Sequence, residues 1–161
     1  MRVLQKKICM IGAPGVGKTS LVARYVHGIF SERYLSTIGV KIDRKVLERQ
    51  HDRLQLMLWD INGNGTLNQL TMSYMRGASG YLLVADGSRA ETLDTAASLQ
   101  AQLASAHADL PFVLLLNKAD LRSAWQLEPT AVEALGWPWL ETSAKDGLGV
   151  EQAFSKLAQY L

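Results

Sequence analysis

Apolar and polar positions change their period several times along this chain, and the changes mark out its elements. "KKICMIG", ending at Gly12, is a short apolar run that predicts a buried strand, and the stretch "TSLVARYVHG" after it predicts a helix stopped by Gly28. From Val40 to Val46 and again from Leu54 to Leu58 the apolar residues alternate, with "RQHD" between them, the pattern of a hairpin. "YLLVAD" and "FVLLLN" are near-continuous apolar runs, as expected of parallel strands covered on both faces. Between those two, Leu93, Ala96, Leu99, Leu103 and Ala106 recur at helical spacing. "WPWLETSA" is a further strand candidate, and a last helix is expected from Val150 to Leu161 with Phe154 and Leu157 facing inward. Strands alternating with helices predict an α/β fold: a six-stranded, mostly parallel, doubly wound sheet with one antiparallel edge strand and helices on both faces. In such sheets ligands sit beyond the carboxyl ends of the strands.

Composition narrows this picture without redirecting it. At 161 residues, 48% apolar and 20% charged, the chain reads as one domain over 1–161 with a sizeable core. A net charge of +2 gives no argument for a nucleic-acid surface. Cys9 is the only cysteine, which excludes a disulfide framework or thiolate metal cluster, and its place in "ICMIG" reads as a buried structural thiol. His27, His51 and His107 are scattered without metal-ligand spacing and read as surface residues. No apolar run approaches a membrane span, no signal peptide opens the chain, and no lipid-attachment pattern is present, so a cytoplasmic location is expected.

The chemistry is concentrated in four short stretches. "GAPGVGKT", Gly12 to Thr19, fits G-x-x-x-x-G-K-[ST] between a predicted strand and a predicted helix, the context that this pattern requires. Its backbone, from Gly12 through Pro14, Gly15, Val16 and Gly17 to Ser20, is expected to wrap phosphates, with N–H groups pointing at them. Lys18 would neutralise the terminal phosphates and the Thr19 hydroxyl would ligate magnesium. "NKAD", Asn117 to Asp120, directly follows the strand "FVLLL". One carboxylate, Asp120, can accept from both the N1–H and the exocyclic amine of guanine, whereas adenine would leave it unpaired at considerable cost. Asn117 can tie this loop to the phosphate loop, and the Lys118 stem can cover the base beside Leu121. "TSAK" follows the next strand and offers Ser143, the Ala144 N–H and Lys145 to the guanine side. The fourth stretch, "LWDINGNG", ends a strand on Asp60, and its repeated Asn-Gly is by local preference a tight turn.

Taken in order, these stretches resemble those of a Ras-superfamily small GTPase, and the Rab branch most. "STIGV" resembles the first switch of Rab proteins, "YMRGA" their Tyr-Tyr-Arg-Gly-Ala, and "ETSAK" their last base-contacting loop. The resemblance covers essentially the whole chain. It implies a magnesium-dependent GTP- and GDP-binding switch in which Phe30 stacks on the guanine edge and Tyr34 closes over the phosphates. It further implies that Thr37 and Asp60 hold the magnesium ion with Thr19, and that the Gly63 N–H meets the γ-phosphate. From the residues alone, Phe30 reads equally as a core aromatic and Thr37 as a loop hydroxyl. Effectors, exchange factors or GTPase-activating proteins are expected to read residues 32–42 and 62–76.

Several positions depart from the family. Its second switch reads Asp-Thr-Ala-Gly-Gln, where this chain has Asp60, Ile61, Asn62, Gly63 and Asn64. The Gln amide orients the attacking water, and Asn64 carries the same amide on a stem one methylene shorter. A displacement of about 1 Å can cost on the order of a hundredfold in rate, so slow intrinsic hydrolysis is expected, catalysis resting on Lys18, Thr37, Gly63 and Asn64. The alternatives are a loop that moves inward to restore the contact, a GTP- or GDP-binding scaffold with negligible hydrolysis, and an ATPase, which "NKAD" opposes. Pro14 stands beside the expected γ-phosphate where the family often has Gly or Ser, removing an N–H and fixing φ. Lys41 and Ile42 replace an Asp-Phe pair, and "GNGTLNQLTM" lacks the Glu-Arg-Phe run, so no known effector carries over. The segment between Asp120 and Trp137 is short, which implies a trimmed helix near "PTAVEAL".

Overall fold

The computed structural model describes residues 2–32, 39–61 and 67–161. Six strands form one sheet: β1 (Arg2–Gly12), β2 (Val40–Glu48), β3 (Asp52–Ile61), β4 (Gly80–Asp86), β5 (Phe112–Asn117) and β6 (Trp139–Glu141), in the order β2-β3-β1-β4-β5-β6. Every neighbouring pair is parallel except β2 with β3, which form the hairpin predicted around "RQHD". The helices are α1 (Lys18–His27), α2 (Gln69–Tyr74), α3 (Glu91–Ala106), α4 (Pro129–Glu133) and α5 (Val150–Ala158), with a 3-10 turn over Ala119–Ala124.

The period of two along each strand builds two cores. Ile8, Met10, Leu54, Leu56, Leu58, Leu82, Val84, Val113 and Leu115 point to one face, where Leu21, Val22 and Tyr25 of α1 meet Val150, Phe154 and Leu157 of α5. Cys9, Ile11, Tyr81, Leu83, Leu114 and Leu116 point to the other face and pack against Ala96, Leu99 and Leu103 of α3. Strands covered on both faces need apolar residues at every position, which is why β4 and β5 read as unbroken runs.

Three details differ from the sequence-based expectation. β1 begins at Arg2 rather than near Lys6, because its polar first residues still pair in register with β3, Arg2 opposite Asp52. Ala106 is exposed at the last residue of α3. α5 ends at Ala158 rather than at Leu161, whereas the helix near "PTAVEAL" is trimmed, as expected, to the five residues of α4.

Among the described residues, the buried polar side chains are Lys18, Asp60, Thr71, Asp86, Thr92, Asn117, Thr142 and Ser143. All but Thr71 lie at or just past the carboxyl ends of the strands. The strand order reverses around β1, so the crevice that doubly wound sheets use for ligands opens at Gly12.

Candidate functional site

The turn from Gly12 to Gly17 leaves β1 and delivers the chain into α1. Its Gly17 adopts φ +105, and a Cβ added there would lie 2.2 Å from Asn117 Nδ2, so only glycine fits. At the start of α1, Lys18 is 6% exposed, and its Nζ donates to the carbonyls of Gly12 and Ala13, both at 3.0 Å. Burial pushes its ammonium down to about 8, with Asp60 opposing the shift and Arg89 adding to it. An anion in the turn would favour the charged form further. The next residue, Thr19, donates its hydroxyl to Asp60 Oδ2 at 2.5 Å, which brings two oxygens that could hold a hard cation together from α1 and the end of β3.

The second half of the site is bonded to the first. Asn117, 2% exposed at the end of β5, donates from Nδ2 to the Val16 carbonyl at 3.0 Å and accepts from the Thr142 hydroxyl at 3.0 Å. One amide thus joins the phosphate loop to the loop after β6. Lys118 has φ +71, the one positive-φ residue other than glycine among those described. That conformation is costly for a side chain and marks a functional loop. It is held by the Trp125 indole, whose Nε1–H donates to the Lys118 carbonyl at 2.8 Å. Asp120 accepts from the Ser143 hydroxyl at 2.9 Å, which in turn accepts from the Asp146 N–H at 3.0 Å. Arg24 of α1 donates to the carbonyls of Ala144, at 2.7 Å, and of Lys145. Lys145 pairs with Glu32 at 3.0 Å.

The structure therefore gathers Gly12, Pro14, Gly15, Val16, Gly17, Lys18, Thr19, Asp60, Asn117, Lys118, Asp120, Ser143, Ala144 and Lys145 along one edge. Ser20 follows Thr19 in the first turn of α1. Phe30 packs against the α1–α5 core, and Leu121 is 43% exposed on the 3-10 turn. Tyr34, Thr37, Gly63 and Asn64 lie outside the described residues. Sequence reasoning missed Asp86, Arg89 and Trp125. Asp86, 1% exposed, ends β4 and accepts from Lys118 Nζ at 2.9 Å, the Ser88 N–H and hydroxyl, and Arg89 Nε at 3.1 Å. Burial alone would raise its carboxyl; the bonds from Lys118, Ser88 and Arg89 hold it below the ordinary carboxylate range. The available signal was the acidic residue closing "YLLVAD" at the ligand edge.

A glycine-lined turn feeding a helix start, joined through a buried amide to a separate carboxylate loop, defines a P-loop nucleotide-binding protein. The model of the Ras family matches residues 7–161, and the chain belongs to that family. It is a GTP-binding molecular switch and a GTP hydrolase, like the Ras and Rab proteins it resembles. It is similar to the Ras-related protein Rab-32 of Homo sapiens, 39% identical over 158 residues that span 91% of this chain and 70% of that protein. The Mus musculus Rab-32 is 38% identical over the same share of the chain and 71% of its own length, and that of Sus scrofa 37% identical, covering 70%.

Proposed function

We propose that this chain is a magnesium-dependent guanine-nucleotide switch whose unassisted hydrolysis is slow. The observation that carries the reading is the bonded run from Val16 through Asn117 to Thr142, with Ser143 on Asp120 beside it. It fixes the separation between a phosphate cradle and a carboxylate suited to the two donors of guanine. Lys18 neutralises the terminal phosphates, Asp120 reads the base, the Ala144 N–H meets the guanine carbonyl, and Lys118 and Phe30 cover the ring. Thr19 and Asp60, with Thr37 by family resemblance, would hold magnesium, which supplies charge neutralisation at the phosphates. The hard-oxygen pair of Thr19 and Asp60 fits that ion. By the same family resemblance, Tyr34 would close over the phosphates and the Gly63 N–H would meet the γ-phosphate.

No residue of this set is a strong general base, so the chemical step rests on charge stabilisation and on the placing of water by Asn64. Single-turnover hydrolysis of bound GTP tests this. The wild type is expected to be slow, and Asn64→Gln to accelerate it by roughly ten- to a hundredfold. A wild type at an ordinary family rate, unchanged or slowed by glutamine, would show that the loop already places its water. The second reading, a scaffold with negligible hydrolysis, draws on Ile61, an apolar side chain 2% exposed where the family carries a hydroxyl. Negligible turnover in both proteins would favour it.

A further inference from the structure

The phosphate loop has a neighbour that the nucleotide motifs do not include. Residues 86–91, after β4, run beside it, and the Arg89 guanidinium there forks. Nε donates to Asp86 Oδ2 at 3.1 Å, and Nη2 donates to the Pro14 carbonyl at 2.9 Å. The mount of this arginine is fixed from behind. The Gly87 carbonyl accepts from the N–H groups of Gln126 and Leu127, and the Ala90 N–H donates to Gln126 Oε1. The Trp125 ring lies so close that a Cβ on Gly87 would stand 2.1 Å from it. Asp86 already holds the ammonium of Lys118 and both donors of Ser88, so satisfying that carboxylate does not require Arg89. The bond peculiar to Arg89 is the one to Pro14.

The peptide it reaches has a second end. The Pro14 carbonyl and the Gly15 N–H belong to one planar unit. A charge-assisted bond to the carbonyl polarises that unit and strengthens its N–H as a donor. In a phosphate-binding turn of this pattern the glycine N–H groups point at the ligand. Pro14 brings no N–H of its own, so the turn depends more heavily on the next one.

We propose that Arg89 is a positioning residue of the nucleotide site: through the Pro14 carbonyl it fixes the Pro14–Gly15 peptide and strengthens the Gly15 N–H toward the last phosphate. This rests on the guanine-nucleotide reading above. Arg89 itself touches no phosphate; it acts through the backbone. Because Pro14 falls beside the expected γ-phosphate, the effect is larger for GTP than for GDP, and Arg89 sets part of the preference between the two states of the switch.

The test compares dissociation of fluorescently labelled GDP and of a labelled non-hydrolysable GTP analogue from the magnesium-loaded full chain. Wild type, Arg89→Lys and Arg89→Ala are measured, each with its thermal unfolding without nucleotide. Alanine is expected to speed release of the triphosphate about tenfold and of GDP about twofold or less. Lysine falls between, because an ammonium keeps the charge but cannot fork between Asp86 and Pro14. An arginine that only braced the fold would speed both releases equally, in step with a fall in unfolding temperature, and that result overturns the proposal. No change in either rate does so as well. Should Arg89→Ala not fold, the ratio of the two rates in Arg89→Lys decides on the same criterion. A wild type that binds neither nucleotide overturns the guanine reading instead, before any variant is made.

Discussion

Gly17 and Asn117 are a hundred residues apart in sequence and share one atom-sized space. The glycine's missing side chain lets Asn117 Nδ2 reach the Val16 carbonyl, and its φ of +105 turns the chain into α1. Gly17→Ala is therefore expected to cost about 2–4 kcal/mol in urea unfolding, from backbone strain and a displaced buried amide. Its affinity for GDP should fall by at least about a hundredfold in direct titration. Both residues were legible in the sequence because each sits in a pattern of fixed spacing. Arg89 was not: its bond to Pro14 spans 75 residues, and no spacing rule relates the two. Nothing about a lone arginine between Ser88 and Ala90 says which carbonyl it will meet.

At the scale of elements, the carboxyl ends of β4 and β5 and the two loops that follow them act as one bonded unit through Asp86, Lys118 and Arg89. The Asp86 carboxyl lies below its ordinary value in the fold, so its contribution to stability is complete above the unfolded value near 3.9 and is lost as pH falls through the lower folded value. Asp86→Asn should destabilise the protein by about 2 kcal/mol at pH 7, since two cations lose their partner. The gap to wild type should narrow below about pH 4, as urea unfolding at pH 7, 5 and 3 would show; a gap independent of pH would contradict the assignment. Elements differed in how plainly they could be read. β4 and β5 were evident because burial on both faces leaves no polar position. The 3-10 turn at Ala119–Ala124 and α2 went unread because one or two turns carry too few residues for a periodicity, and individual side-chain bonds, Trp125 on Lys118 for the one and the Asn68–Thr71 cap for the other, hold their shape.

For the whole molecule, ligand binding and folding stability are linked. GDP with magnesium at about a hundred times its dissociation constant should stabilise the fold by about 2.7 kcal/mol. For a domain of this size that is a rise of roughly 5–10 °C in unfolding temperature, whereas ATP at the same concentration should leave it unmoved. Helix α1 adds a geometric consequence. It starts at the phosphate cradle with Lys18, and six residues later Arg24 grips the Ala144 and Lys145 carbonyls of the base loop. Six residues of α-helix measure about 9 Å. The helix is thus a ruler laid alongside the ligand, with one mark at the phosphates and the other at the base. Inserting a single residue between those marks would lengthen it by about 1.5 Å and turn Arg24 by about 100°, so the gauge would no longer read the length of a nucleotide.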